Sequence, residues 1–210
     1  MESKNIKAIE LKKLDEKSKL ELMKSVQELI NTKVTQTLKI TIRDLQGNPE
    51  DALEIIQTIH KSNNLDLEVE AFGKNGRAGT LFLAAGKPGH RSVNVGSSFQ
   101  ILEGESYSKD VNLKSIRPED ESTVIALTAL SGKKKQILEA IANSKFVTDS
   151  GAKKIGIADN TSQFINKYAI KSKRGRRKKD VNTSETNDAN ASETNDVNAS
   201  QTNDESIENK

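Results

Sequence analysis

Residues 76–91 read GRAGTLFLAAGKPGHR, a glycine-rich turn that opens into a short apolar helix. The glycines of the turn, Gly73, Gly76 and Gly79, are typical of a place where the chain changes direction between two regular elements. The apolar run TLFLAAG follows at residues 80–86 and predicts the helix itself. The turn therefore joins the elements that precede it to this helix.

A strand, a helix and a second strand precede the turn. Residues 38–45, LKITIRDL, alternate apolar and polar side chains as a half-buried strand does. Asn48 is a good N-cap and Pro49 fits the first helical position, so a helix begins there. Its predicted inward stripe is Leu53, Ile56 and Ile59. Residues 65–71 alternate again, which gives a βαβ pattern that leads into the turn.

Further helices and short strands are predicted on both sides of this unit. Upstream, apolar residues at helical spacing over 22–30 follow a cap at Asp15 or Ser18. Downstream, residues 123–130, 134–142 and 149–155 are predicted helices, the last with Thr148 as N-cap and Gly156 as its end. Short strands are predicted around Val93, Val95, Phe99 and Ile101. Strands that alternate with helices imply an α/β core with right-handed crossovers.

The composition limits the possible functions. None of the 210 residues is cysteine, which excludes a disulfide framework, a thiol nucleophile and cysteine-ligated zinc. The sequence MESKNIKAIELKK at the start lacks the apolar segment of a signal peptide. The longest nearly apolar run, residues 123–130, is far shorter than the about 20 residues that span a bilayer. We expect a cytoplasmic protein with no membrane association, no metal and no cofactor.

We predict one domain over residues 1–170, a basic linker over 171–180 and a disordered acidic tail over 181–210. The linker carries seven positive side chains and one negative, and the tail carries seven negative and one positive. The tail consists largely of three octads, VNTSETND, ANASETND and VNASQTND. The linker can remain solvated, pair with the octads, or bind a polyanion such as nucleic acid. The candidate polyanion-binding residues are Lys171, Lys173, Arg174, Arg176, Arg177, Lys178 and Lys179.

The glycine turn and the late segment KKQILEAIANSKFVTDSGAKKIGIAD, residues 134–159, resemble the Clp protease proteolytic subunit family, ClpP. In that family the nucleophile turn reads roughly A-S-M-G and is followed by an apolar run that ends in L-A-A-G. The resemblance covers most of residues 8–160 and implies an α/β fold, a ClpP/crotonase-like spiral of β-β-α units. The family usually assembles into rings around a proteolytic chamber, so the resemblance also implies an oligomer.

The chemistry of the family requires a serine, a histidine and an aspartate, with backbone N–H groups for the oxyanion. By the resemblance, these triad positions hold Arg77, Leu102 and Ser144. The Gly-Gly oxyanion turn corresponds to Gln46 and Gly47, so it is half present. The chain is therefore identified as a degenerate, non-catalytic (ClpR-like) member, a pseudoprotease rather than an enzyme.

Two other departures from the family concern assembly. The first strand is expected to begin near Ile6, which leaves no room for the usual preceding loop and helix that dock the unfoldase. Residues 103–132, which correspond to the handle that joins two rings, are shorter and contain Pro118. Both departures argue against a double ring.

Other chemistry has weaker support in the sequence. His60 and His90 are the two histidines and have no clustered partners, which favours structural or surface roles over catalysis or metal binding. The GKNGRAG turn could bind an anion through its amides with Lys74 or Arg77, although it matches neither the P-loop nor the dinucleotide fingerprint.

Two functions follow as alternatives. The first is a catalytically inactive ClpP-like subunit with an assembly or regulatory role in a complex with an active Clp-type protease. The second is a standalone ClpP-fold scaffold or nucleic-acid-associated protein that uses its basic tail. A crotonase-type acyl-CoA enzyme would need two N–H donors around a thioester oxygen and an acidic residue beside them, and no such residue is identifiable.

Overall fold

The computed structural model describes residues 6–32 and 34–162. Within these ranges the strands are β1 (Ile6–Leu14), β2 (Gln36–Gly47), β3 (Leu65–Phe72), β4 (Lys74–Asn75), β5 (Arg91–Asn94), β6 (Ser98–Gln100), β7 (Phe146–Thr148) and β8 (Asn160–Ser162). The helices are α1 (Glu16–Ile30), α2 (Pro49–His60), α3 (Arg77–Ala85), α4 (Pro118–Ser131), α5 (Lys134–Asn143) and α6 (Asp149–Lys154), with a 3-10 turn at Leu113–Ser115.

Two sheets organise the described residues. The larger has the strand order β1-β2-β3-β5-β8, and its neighbouring strands are all parallel. The smaller has the order β4-β6-β7, with β4 parallel to β6 and β7 antiparallel to it. Parallel neighbours need crossovers, and α1 and α2 supply the first two. The predicted α/β class is confirmed.

The βαβ unit forms where the sequence predicts it. The Asn48 side chain accepts a hydrogen bond from the Glu50 N–H at 3.0 Å, and Pro49 is the first residue of α2. Strand β3 buries the alternating residues Leu65, Leu67, Val69 and Ala71. The predicted stripe of α2 needs a correction, because Leu53 is only half-buried and the buried face is Ala52, Ile55, Ile56 and Ile59. Spacing alone did not fix the rotation of this helix about its axis.

Helix α3 lies in the centre of the core. All of its residues from Ala78 to Ala85 are buried, including Leu81, Phe82 and Leu83. Its close approach to β2 depends on Gly79, where a Cβ atom would lie 2.9 Å from the Asn75 Cβ and 3.3 Å from the Leu45 Cβ. A helix surrounded by protein is apolar on every side, which explains why TLFLAA shows no amphipathic period.

The remaining elements match the predictions in kind. Asp15 caps α1 in a capping box with Ser18, and the Thr148 hydroxyl accepts from the Gly151 N–H at the start of α6. The helix predicted at residues 123–130 begins earlier, at Pro118, because proline is favourable in a first turn. Val95 follows β5 in a turn and is 52% exposed, so the predicted strand ends one residue before it.

Among the described helices, none is both long and apolar enough to cross a bilayer. The predicted boundary near residue 170, the basic linker and the acidic octads lie outside the described residues.

Candidate functional site

The turn before α3 is held in place by two polar side chains, one buried and one exposed. Asn75 is fully buried, and its Oδ1 accepts from the Leu45 N–H at 3.0 Å while its Nδ2 donates to the Phe72 carbonyl at 2.9 Å. The Asp44 carboxylate accepts from the Lys74 N–H at 2.7 Å. Gly73 has φ +70°, and a Cβ there would collide with the Asp44 carboxylate, so only glycine fits. These contacts fix where Arg77 begins the helix.

Arg77 is engaged on both sides of its guanidinium. Its Nη2 lies 2.7 Å from the Glu103 Oε2, and its Nη1 donates to the Glu119 carbonyl. The Arg77 side chain is 14% exposed, whereas that of Glu103 is 56% exposed. The arginine thus crosses from the N-terminus of α3 to the segment after β6 and to the first turn of α4, and its ion-pair partner borders solvent.

The other two predicted triad positions lie at the same end of the smaller sheet. Leu102 is fully buried and directly precedes Glu103. The Ile101 N–H donates to the Lys145 carbonyl at 2.9 Å, and Lys145 Nζ donates to the Glu103 carbonyl. Ser144 directly precedes Lys145. The two residues that flank Leu102 thus both bond to Lys145, which connects the segment of Leu102 to that of Ser144. The structure therefore connects three segments that are far apart in the sequence, through Glu103 and Lys145.

None of these three positions carries an imidazole or a carboxylate. Leu102 is an alkyl side chain, and the Ser144 Oγ accepts from the Phe146 N–H at 3.1 Å as a cap on the α5–β7 turn. The nearby Gln46 side chain donates to the Lys74 carbonyl at 3.1 Å, and Gly47 pairs with Leu14 of β1. The side chains at this site therefore provide the Arg77–Glu103 ion pair and the apolar surface of Leu102.

The two histidines lie elsewhere. The His60 Nε2 lies 3.0 Å from the Ala85 carbonyl at the far end of α3 from Arg77, and the His90 Nδ1 lies 2.9 Å from the Glu68 carboxylate. Across the described residues, no group of three or more metal-ligating side chains converges. The structural or surface role expected for both histidines stays a prediction.

The anion hypothesis for the glycine turn gains no support. Glu103 already supplies a carboxylate to Arg77, and the Lys74 ammonium lies over the Phe146 ring at 5.0 Å from its centroid. The seven basic side chains of the linker lie outside the described residues, and their polyanion binding stays a prediction.

Sequence reasoning missed a buried carboxylate that supports the Arg77 site. Asp120 is fully buried and accepts from the Glu103 N–H at 2.6 Å, the Tyr107 hydroxyl at 3.0 Å and the Arg117 Nη2 at 2.9 Å. Burying a carboxylate costs free energy unless its oxygens accept hydrogen bonds, and here both oxygens do. Asp120 fixes the backbone of Glu103 and hence the partner of Arg77.

The titration behaviour of this cluster follows from its contacts. Burial raises the pKa of the Tyr107 hydroxyl, and the hydrogen bond to Asp120 adds to the rise, although Arg117 acts in the opposite direction. The hydrogen bond to Tyr107 raises the pKa of the Arg117 guanidinium, which also lies 4.3 Å from the Tyr107 ring centroid. Both groups therefore keep their protons at neutral pH.

A largely buried ion pair lies at the β8 edge of the larger sheet. Arg91 and Asp159 form a bidentate pair, with Nη2 at 2.6 Å from Oδ1 and Nε at 2.9 Å from Oδ2. The same carboxylate accepts from the Gly89 N–H at 2.7 Å and from the Arg91 N–H at 3.1 Å. The Arg91 guanidinium above all lowers the pKa of Asp159. This pair joins β5 to the segment that enters β8.

The chain is similar in fold to solved structures, among them two from Plasmodium falciparum. The ClpP protease catalytic domain from Plasmodium falciparum matches with a TM-score of 0.58 and 20% identity, over 74% of this chain and 84% of that one. A peptidase from Plasmodium falciparum matches with a TM-score of 0.59 and 15% identity, over 74% of this chain and 94% of that one. No family model and no curated protein matches the sequence. The chain has a ClpP-like fold, an α/β architecture with a mostly parallel main sheet.

Proposed function

We propose that this chain is a catalytically inactive, ClpP-like subunit that serves an assembly or regulatory role with an active Clp-type protease. The observation that carries the proposal is the Arg77–Glu103 ion pair, at 2.7 Å, in the turn that resembles the nucleophile turn of ClpP. A guanidinium is a permanent cation and cannot act as a nucleophile.

The surroundings of Arg77 support the same proposal. An activated serine needs a base within hydrogen-bond reach and a carboxylate that orients the base. His60 and His90 are engaged at other parts of the fold, and Leu102 occupies the expected position of the base. Asp120, the buried carboxylate nearest in the hydrogen-bond network, is already occupied by three donors.

The role beside an active protease rests on the fold. One of the similar structures is a ClpP protease catalytic domain. A chain that keeps such a fold without the chemistry can contribute a surface to an assembly. Homo- or hetero-oligomers with ClpP-type subunits are the partners that we propose.

The test of assembly is co-purification of the tagged chain from its native cell extract, followed by native mass measurement and identification of the subunits. A mixed oligomer that contains an active ClpP-type subunit supports the proposal. A lone oligomer, or a complex with nucleic acid that survives moderate salt, supports the alternative scaffold function instead.

The test of inactivity uses serine-directed fluorophosphonate labelling and a panel of fluorogenic peptides on the purified chain. We expect no labelling and no hydrolysis, and we expect the Arg77→Ser variant to remain unlabelled because no imidazole accompanies the new hydroxyl. An active ClpP-type subunit from a ClpP protease serves as the positive control. Labelling of the unmodified chain that maps to a serine would contradict the proposal.

A further inference from the structure

A surface groove of about 690 Å³ lies between α5 and the segment that follows Tyr107. Its apolar floor comes from Leu138 and Ala142 of α5 and from Val111 of the facing segment. The Tyr107 N–H donates to the Ile141 carbonyl at 2.9 Å, so the segment is tied to the helix beside the groove. The volume falls in the range of about 300–1,000 Å³ that is usual for small-molecule sites.

The sequence of α5 explains why this groove is apolar. Ile137 and Ile141 are fully buried against the core. Each is followed directly by another apolar residue, Leu138 and Ala142. These two residues lie at i,i+4 spacing and form a second apolar row on the helix. Both are only half-buried. From Leu138 to Ala142 this row extends over about 6 Å of helix, and Lys134 lies one further turn toward the N-terminus.

Among the residues that the structure describes, no carboxylate pairs with the positive charges at the groove. Lys109, Lys134 and Lys135 line the groove and are exposed, and no ion pair involves them within residues 6–32 and 34–162. By contrast, the acidic lining residue Glu139 is already paired with Lys154 at 3.1 Å. The groove therefore combines an uncompensated positive charge with an apolar floor.

We propose that this groove binds a small amphiphilic anion, a carboxylate that carries an unbranched apolar chain of medium length. The carboxylate lies among the ammonium groups of Lys109, Lys134 and Lys135, and the chain lies along Leu138, Ala142 and Val111. A neutral ligand would gain only the apolar contact, and a cationic one would be repelled. This site is separate from the Arg77 cluster and does not depend on the proposed function.

The test is isothermal titration of the full chain with decanoate below its self-association concentration. Decanol and decyltrimethylammonium are titrated in parallel. We expect decanoate to bind most tightly and the cation least. A photoreactive analogue of decanoate should label peptides that contain residues 109–111 and 138–143, as located by mass spectrometry.

The triple variant Lys109→Gln, Lys134→Gln, Lys135→Gln should bind decanoate about tenfold more weakly, since each exposed charge contact contributes about two- to threefold. The matched control replaces the exposed lysines Lys12, Lys17 and Lys24 by glutamine and should bind as the unmodified chain does. Leu138→Glu, which places a negative charge on the floor, should abolish binding. Melting temperatures verify that each variant is folded.

Several outcomes would overturn the proposal. One is equal affinity of the unmodified chain and the triple variant for decanoate. A second is binding that disappears only when residues 171–179 are neutralised, because the basic linker would then be the site. A third is a change in native mass, rather than in decanoate affinity, on Leu138→Glu, because a second copy of the chain would then cover the groove.

Discussion

The two ion pairs of Arg91 and Arg77 have the same chemistry and different surroundings. Arg91 and Asp159 are 9% and 21% exposed at the side chain, and the carboxylate accepts backbone N–H groups as well as the guanidinium. Arg77 is 14% exposed, but its partner Glu103 is 56% exposed. The first pair holds two strands of the main sheet, whereas the second spans the turn that resembles a protease nucleophile turn.

Because of this difference in exposure, we expect the Arg91–Asp159 pair to contribute more to the stability of the fold than the Arg77–Glu103 pair. A charge that is removed from water must be fully hydrogen-bonded, and removal of its partner leaves an uncompensated charge. An exposed carboxylate can be solvated by water, so its loss costs little. We therefore expect the fold to depend on Arg91 and Asp159, and the Arg77–Glu103 pair to tolerate change.

The largest effect is expected for Asp159→Asn. The variant leaves the Arg91 guanidinium without its anion, and we expect the free energy of unfolding to fall by about 3 kcal/mol. Chemical denaturation monitored by circular dichroism measures the loss. Glu139→Gln, which breaks the exposed pair with Lys154, is the matched control and should cost less than about 0.5 kcal/mol. Equal losses of stability in Asp159→Asn and Glu139→Gln would contradict the distinction between the largely buried ion pair and the exposed one.

The Arg91–Asp159 pair should also make the free energy of unfolding depend on pH in the acidic range. The pKa of Asp159 is lowered from its ordinary value of 3.8 in the folded chain, so the unfolded chain binds this proton first as pH falls. The contribution of the ionised Asp159 carboxylate to the free energy of unfolding is complete at pH values above 3.8. It is lost as the pH falls through the lowered pKa of Asp159 in the folded chain. The stability difference between the unmodified chain and Asp159→Asn should therefore be constant near neutral pH and shrink at acidic pH. A difference that grew on acidification would contradict this assignment.

Asp120→Asn should have an intermediate effect. The amide keeps one oxygen, but its NH₂ group would face N–H or O–H donors of Glu103, Tyr107 or Arg117, and we expect a loss of about 2 kcal/mol. The backbone N–H of Glu103 should also exchange faster with solvent, as hydrogen-exchange measurement can show. The exposed Asp110 of the same segment supplies the control, Asp110→Asn. Unchanged exchange at Glu103 would show that Asp120 does not hold the Arg77 site.

The smallest effect is expected for Arg77→Met. The change keeps an unbranched apolar stem and removes the ion pair with Glu103, and the free energy of unfolding should fall by less than about 1 kcal/mol. Combination with Glu103→Gln in a double-mutant cycle isolates the coupling between the two side chains. A coupling as large as that between Arg91 and Asp159 would place both pairs in the same structural class.

Local sequence signals were sufficient for most of the fold. Alternation over residues 38–45 and 65–71, the Asn48–Pro49 start of α2 and the glycine turn before α3 all predicted the elements that form. These signals are reliable because each depends on neighbours within a few residues, through side-chain period and backbone capping. The rotation of α2 was predicted less well, because it depends on packing against other elements.

The candidate site was only partly accessible from the sequence. The resemblance picked out Arg77, Leu102 and Ser144, and the structure brought their segments together. No sequence signal indicated that Glu103 pairs with Arg77 or that Asp120 fixes Glu103. A buried Asp inside the first turn of α4 looks like any acidic residue that complements a helix dipole.

The sequence by itself determined the α/β class, the main helices and strands and the presence of an arginine at the turn, because these follow from local periodicity and residue identity. Tertiary structure alone decided which polar groups meet. Asn75 bonds a residue 30 positions away, and Arg91 bonds one 68 positions away. Such partners are chosen by the geometry of the folded chain, where burial makes every unpaired polar group costly.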